Sequence, residues 1–165
     1  MFPTDRTIPQ NTLVQLDCGA TFAGYRGDLS RVVFLGQASG RIRQLMDVTT
    51  EIYDQCLELL RPGVACADIA KLAWNIDDRY GLAGLLYRSP NHPDGFIGHL
   101  ISCSYNEPPE LYPACTTILQ EQMVIVLEPI LTDPAVGGVK IEDAVLITAD
   151  GPERLSQLPV LTWES

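Results

Sequence analysis

The chain has 165 residues, nearly half of them hydrophobic, which is enough for one globular domain with its own core and too apolar for a disordered segment. Eleven basic against twenty-one acidic side chains leave a net charge of −10 with no basic cluster, so a nucleic-acid backbone is excluded as a partner by overall repulsion. Five cysteines, odd in number and never paired as C-x-x-C, exclude a disulfide framework and a zinc ribbon; a reduced, cytoplasmic compartment is expected. No run reaches the length of a membrane span, and the opening Met1 to Arg6 has no targeting pattern, so no membrane partner is expected.

Residues 12–17 (TLVQLD) and 28–35 (DLSRVVFL) read as strands, joined by a turn-rich stretch from Gly19 to Gly27 with three glycines; this predicts a long-looped hairpin. From Ser39 to Leu60, Ile42, Leu45, Met46, Ile52, Tyr53, Cys56, Leu59 and Leu60 recur at helical spacing until Pro62 and Gly63 stop the pattern. A second helical stripe runs through Ile69, Leu72, Ala73, Ile76 and Tyr80 to Gly81. Both stripes are read as core.

Residues 82–97 read as irregular, and Met123–Leu127 and Val139–Ile147 as strands rich in β-branched residues. A hairpin, two helices and then strands give an α+β fold with a mainly antiparallel sheet, because a parallel sheet would alternate strands with helices regularly. One domain spanning 1–165 is expected, with no repeat or linker.

Four acidic residues lie where a solvated charge is out of place. Asp17 ends an apolar strand, Asp28 opens one, and Glu128 and Glu142 sit in apolar strand sequence. Each needs a partner. For any one of them that partner is an ordinary cation such as Arg26, Arg31 or Lys140; four together point to a metal, since crowded carboxylates take up protons unless a divalent ion holds them ionised. The histidines are His92, in the turn-like Asn91-His92-Pro93-Asp94, and His99, before the strand-like Leu100-Ile101. One imidazole among carboxylates suits manganese, iron, cobalt or zinc better than calcium or magnesium.

The order of these residues resembles a known family. LDCGATFAGYRGDLSRVVFLG, with its aspartates eleven positions apart, is similar to the first metal-binding hairpin of the pita-bread metallopeptidases, which include methionine aminopeptidase, aminopeptidase P and prolidase. RPGVACADI resembles their helix-to-helix turn, GHLISCSYNEPP their metal-histidine segment, and MVIVLEP and GVKIEDAVLIT the strands bearing their two metal glutamates. DGPERLS resembles the closing segment of the aminopeptidase P and prolidase branch.

The resemblance implies a pita-bread fold and two divalent ions, manganese first, with cobalt, iron or zinc as alternatives. Asp17 would chelate one ion, Asp28 and Glu142 would bridge both, and His99 and Glu128 would hold the other. It further implies hydrolysis of an N-terminal peptide bond, often Xaa-Pro, with Glu128 and His99 as catalytic residues and a peptide as substrate. Two departures qualify it. The family's second histidine, before Glu-Pro, is here Asn106, which donates a hydrogen bond but cannot exchange a proton as imidazole does; His92 is the candidate to assist it in contacting substrate. The N-terminal part of the family's catalytic domain has no counterpart in the chain, so either the chain is a fragment or a second copy or complementing subunit is expected to supply cover, with Tyr25 and Trp74 as candidates for the association surface. The alternative readings are a hydrolase or lyase of the same fold acting on a small nitrogenous metabolite, and an inactive or binding-only module.

Overall fold

A computed structural model describes residues 4–82, 84–88 and 91–160. Two long strands open the chain, β1 (Thr12–Phe22) and β2 (Tyr25–Leu35), paired without interruption from Thr12↔Leu35 to Phe22↔Tyr25. The long loop expected between Gly19 and Gly27 is therefore a two-residue turn, Ala23-Gly24, with φ of 50° and 90°. Positive φ at both positions is what a tight hairpin needs to match the strand twist. Gly19 serves close approach instead: a Cβ there would meet Gly27 O at 2.6 Å and the Tyr105 ring at 2.8 Å.

Helix α1 (Gly40–Leu59) starts at Ser39, whose hydroxyl accepts from the Ile42 N–H at 3.3 Å, a cap that contributes about 1 kcal/mol. Its buried face includes Leu45, Met46, Ile52, Tyr53 and Cys56. Helix α2 (Cys66–Arg79) lies against it through Ile69, Ala70, Ala73 and Ile76 and ends before Gly81, which takes φ +65°. Trp74, expected on an association surface, instead joins the margin of this core, its indole filling the place where a Gly95 Cβ would stand.

Strands β3 (Gly98–Leu100), β4 (Glu107–Glu110) and β5 (Val124–Leu127) follow, then the hairpin β6 (Ile130–Asp133) and β7 (Gly137–Lys140), and finally β8 (Glu142–Thr148) and β9 (Gly151–Arg154). The main sheet runs β1-β2-β8-β5-β3-β4, with β9 also on β8, and every pairing in it is antiparallel. The single strand expected over 139–147 is two: β7 pairs with β6 outside the main sheet, and β8 begins one residue after it ends. Ile141, fully buried, is the pivot. Ile125, Leu127, Val145 and Ile147 join the two helices in one core, so the helices cover one face of the sheet.

Candidate metal centre

Strand alternation and register together put the five expected ligands on the opposite face. His99 pairs with Val126 and Val126 with Ala144; Glu142 stands two residues before Ala144 and opposite Ser30; Asp28 stands two residues before Ser30, and Asp17 opposite it. Glu128 lies two residues beyond Val126, just past the end of β5. Residues two apart in a strand, or directly paired across strands, share a face, so this side of the sheet collects all five. Asp17, Asp28 and Glu142 each offer an oxygen within 4.8 Å of the others, and His99 Nε2 lies 3.4 Å from Glu128 Oε1. His99, Glu128 and Glu142 are buried, Asp28 is half-buried and Asp17 is exposed.

Lys140 holds the centre of this cluster. Its Nζ lies 2.9 Å from Glu142, 3.0 Å from Glu128 and 3.1 Å from Asp17. Burial alone would lower the pKa of this ammonium, but Glu128 and Glu142 outweigh that and raise it. Glu142 is raised too, by desolvation first and then by repulsion from Glu128 and Asp28, against the opposing pull of Lys140. Asp28 moves the same way, chiefly by desolvation. One ammonium therefore does not satisfy the cluster, and Glu142 Oε2 is buried with no hydrogen-bond partner among the described residues. A cation standing among carboxylates, with a buried carboxylate oxygen still unpartnered, is the donor chemistry that divalent metals take.

The His99 ring is set for such a role. Nδ1 faces the Leu100 carbonyl at 3.0 Å, so with the proton on Nδ1 the Nε2 lone pair points to the Glu128 side. Phe96 stacks on His99 at 6.1 Å and on His92 at 5.5 Å, so His92 is one aromatic layer removed from the ligands. Its Nε2 lies 2.6 Å from Glu110 Oε2, and its ring rests on Tyr112 at 4.7 Å. Asn106 is exposed in the loop between β3 and β4. That loop is tied by Glu107, which accepts from Ser102 Oγ at 2.7 Å and from the Ser104 N–H at 2.8 Å. Tyr105 leans from it onto Gly19, under the Arg26 guanidinium at 4.8 Å. Beside Asp28 is a hollow of 570 Å³ whose walls include Leu29, Ile101, Val124, Ala144 and Leu155.

The sequence singled out neither Tyr105 nor the central place of Lys140. Lys140 was visible only as one of three cations able to pair; its i, i+2 spacing to Glu142 was the available signal. The other two are engaged elsewhere: Arg31 with Asp143, and Arg26 with Thr21, Cys103 and Tyr105.

Comparison with known proteins decides the family: the profile of metallopeptidase family M24 matches residues 1–149. The chain belongs to this family. Within family M24 it is 30% identical over 154 residues to a Xaa-Pro dipeptidase of Pyrococcus horikoshii, covering 93% of this chain and 42% of the relative. A Xaa-Pro dipeptidase of Pyrococcus furiosus matches to the same extent. The crystal structure of the Pyrococcus horikoshii prolidase superposes with a TM-score of 0.86 at 29% identity, over 94% of this chain and 43% of that one. Methionine aminopeptidase from Rickettsia prowazekii, at 20% identity and a TM-score of 0.72, shares the fold over 87% of this chain and 64% of its own. The fold is thus the pita-bread fold of the Xaa-Pro branch, and family M24 implies divalent metal ions. The chain spans about 42% of the length of the curated relatives it matches.

Proposed function

We propose that this chain carries the metal centre of a Xaa-Pro peptidase and that Asp17, Asp28, His99, Glu128 and Glu142 hold two divalent ions. The observation that carries the reading is the convergence of these five side chains on one sheet face around a buried cation position. Asp17 would chelate one ion, Asp28 and Glu142 would be shared between the two, and His99 and Glu128 would complete the other. Manganese suits four carboxylates and one imidazole best, with cobalt, iron and zinc as the alternatives. When bound, such a pair supplies Lewis acidity that lowers the pKa of a water and polarises the scissile carbonyl.

The protein's own groups do the rest. Glu128, at the margin of the cluster, relays the proton from the attacking water to the leaving amine, while His99, its Nδ1 anchored on the Leu100 carbonyl, keeps its position beside Glu128. Asn106 donates a hydrogen bond to the substrate from the open loop, and His92, held against Glu110, contacts it beyond Phe96. The apolar hollow beside Asp28 receives the substrate's side chain. The five cysteines are free thiols, in keeping with a cytoplasmic setting. Exposed Leu16, Phe22, Tyr25 and Val33 on the hairpin give a second copy or a complementing subunit a place to bind.

Asn106 also favours a second reading, a hydrolase or lyase of the same fold acting on a small nitrogenous metabolite. The two separate in one assay of the manganese-loaded protein. Metal-dependent release of proline from Xaa-Pro dipeptides, abolished in Asp28→Ala, is the expected result. Turnover of amidine or lactam compounds with no proline release selects the second reading, and two bound ions with neither activity leave a binding-only module.

A further inference from the structure

Lys140 reaches one carboxylate from each part of the site assigned above: Asp17, which would serve one ion alone, Glu128, which would serve the other, and Glu142, which would bridge them. On that assignment its ammonium would compete with both ions. A strand crossing delivers it to the cluster. β7 leaves the β6–β7 hairpin at Lys140, and the chain turns at buried Ile141 to start β8 at Glu142, so the lysine projects from outside the main sheet into a cluster built on it. The lysine side chain is 9% exposed, whereas that of Asp17 is 46% exposed, so the cluster opens to solvent on the Asp17 side.

We propose that Lys140 is an internal counter-cation that holds the carboxylates together before metal binds, and that metal enters by exchange against its ammonium. The inference rests on the metal reading above. Its physical basis is competition: three of the carboxylates that would hold metal, those of Asp17, Glu128 and Glu142, already accept from Nζ at 2.9–3.1 Å. Charge points the same way. Two divalent ions would neutralise the four carboxylates of Asp17, Asp28, Glu128 and Glu142, leaving an adjacent ammonium with no net negative charge to hold it. Lysine can yield, because a point charge on a flexible four-carbon stem can swing past Asp17 to water, as a planar guanidinium fork would not readily do. The lysine thereby sets the metal concentration at which the site fills, and keeps the cation-free protein folded.

The test is a manganese titration of the full chain at fixed pH, read by calorimetry and by melting temperature, for wild type, Lys140→Met and Lys140→Gln. Met keeps the length of the stem and Gln keeps a neutral donor. Both variants should bind manganese roughly tenfold or more tightly than wild type, since no ammonium has to be displaced. Both should also melt below wild type without metal and gain more on loading. Manganese binding in both variants no tighter than in wild type overturns the exchange, and weaker binding makes Lys140 a group that supports the loaded site. A cation-free Lys140→Gln protein as stable as wild type overturns the holding role. Binding by none of the three proteins removes the metal reading and this inference together, whereas wild-type binding that the variants leave unchanged removes the inference alone.

Discussion

At the scale of the residue, the buried carboxylates outside the metal cluster show how much local context decides. Asp77, near the end of α2, is 2% exposed, has one oxygen with no partner, and accepts from the backbone of Leu86 and Gly84. Desolvation, with Asp78 adding to it, pushes its pKa from 3.8 up to about 6 against the pull of those bonds and of Arg88. A carboxyl whose pKa is raised by folding stabilises the native state only while protonated, so its contribution is lost as pH rises from about 4 through about 6. Asp77→Asn should therefore flatten the dependence of melting temperature on pH in that window, the wild type losing on the order of 2–3 kcal/mol relative to the variant between its two ends. Parallel wild-type and variant curves from pH 4 to 7 would contradict this. The five proposed ligands were picked out in the sequence because ionisable side chains stood in apolar strand sequence, and in the fold His99, Glu128 and Glu142 are buried, Asp28 is half-buried and Asp17 is exposed. The central place of Lys140 was not, because its partners come from β1, β8 and the end of β5, and only tertiary structure brings all three together. Tyr105 was hidden for the same reason: its place depends on a glycine 86 positions earlier, whose missing side chain looked like turn chemistry.

At the scale of the element, both helices were visible from apolar spacing and their proline or glycine stops, whereas strand limits were not. The three glycines of the first hairpin have separate uses, a turn at Gly24, ring contact at Gly19 and strand pairing at Gly27, and composition does not tell them apart. The break between β7 and β8 leaves no mark either, because Ile141 suits a strand interior as well as a buried pivot. What anchors β8 behind the site is a polar network on the helix side. Asp143 accepts from Arg31 Nη2 at 2.7 Å and from Tyr53 Oη at 2.7 Å, with Ser156 also donating to it. Arg31 donates in turn to the Glu142 carbonyl at 2.7 Å and to the carbonyls of Leu158 and Pro159. This ties β2, β8, α1 and the closing segment at the residue next to Glu142. Asp143→Ala leaves Arg31 buried without its counter-charge and should cost about 3–5 kcal/mol, while Tyr53→Phe should cost about 1–2 kcal/mol. Denaturant unfolding checks both, and equal small losses would show that the network does not hold β8.

At the scale of the whole molecule, order along the chain and position in space carry the account together. The chain spans about 42% of the length of its curated relatives, yet superposes on the Pyrococcus horikoshii prolidase over 94% of its own length. Its helices cover one sheet face and the five proposed ligands gather on the other, with β1 and β2 bearing exposed apolar side chains. Among the described residues no helix is long and apolar enough to cross a membrane. The α+β class and the antiparallel sheet were readable from element order alone; the union of five distant residues on one face required the register, which no local pattern in the sequence states.

Whether these residues bind metal is decided by elemental analysis after manganese loading and desalting, with melting temperature measured on the same samples. About two ions per chain, a clear rise in melting temperature, and loss of both ions in Asp28→Ala and Glu142→Ala are the predicted results, since each variant removes a ligand proposed to bridge. Equal metal content in wild type and both variants, or no metal and no thermal shift in wild type, would contradict the assignment of the site.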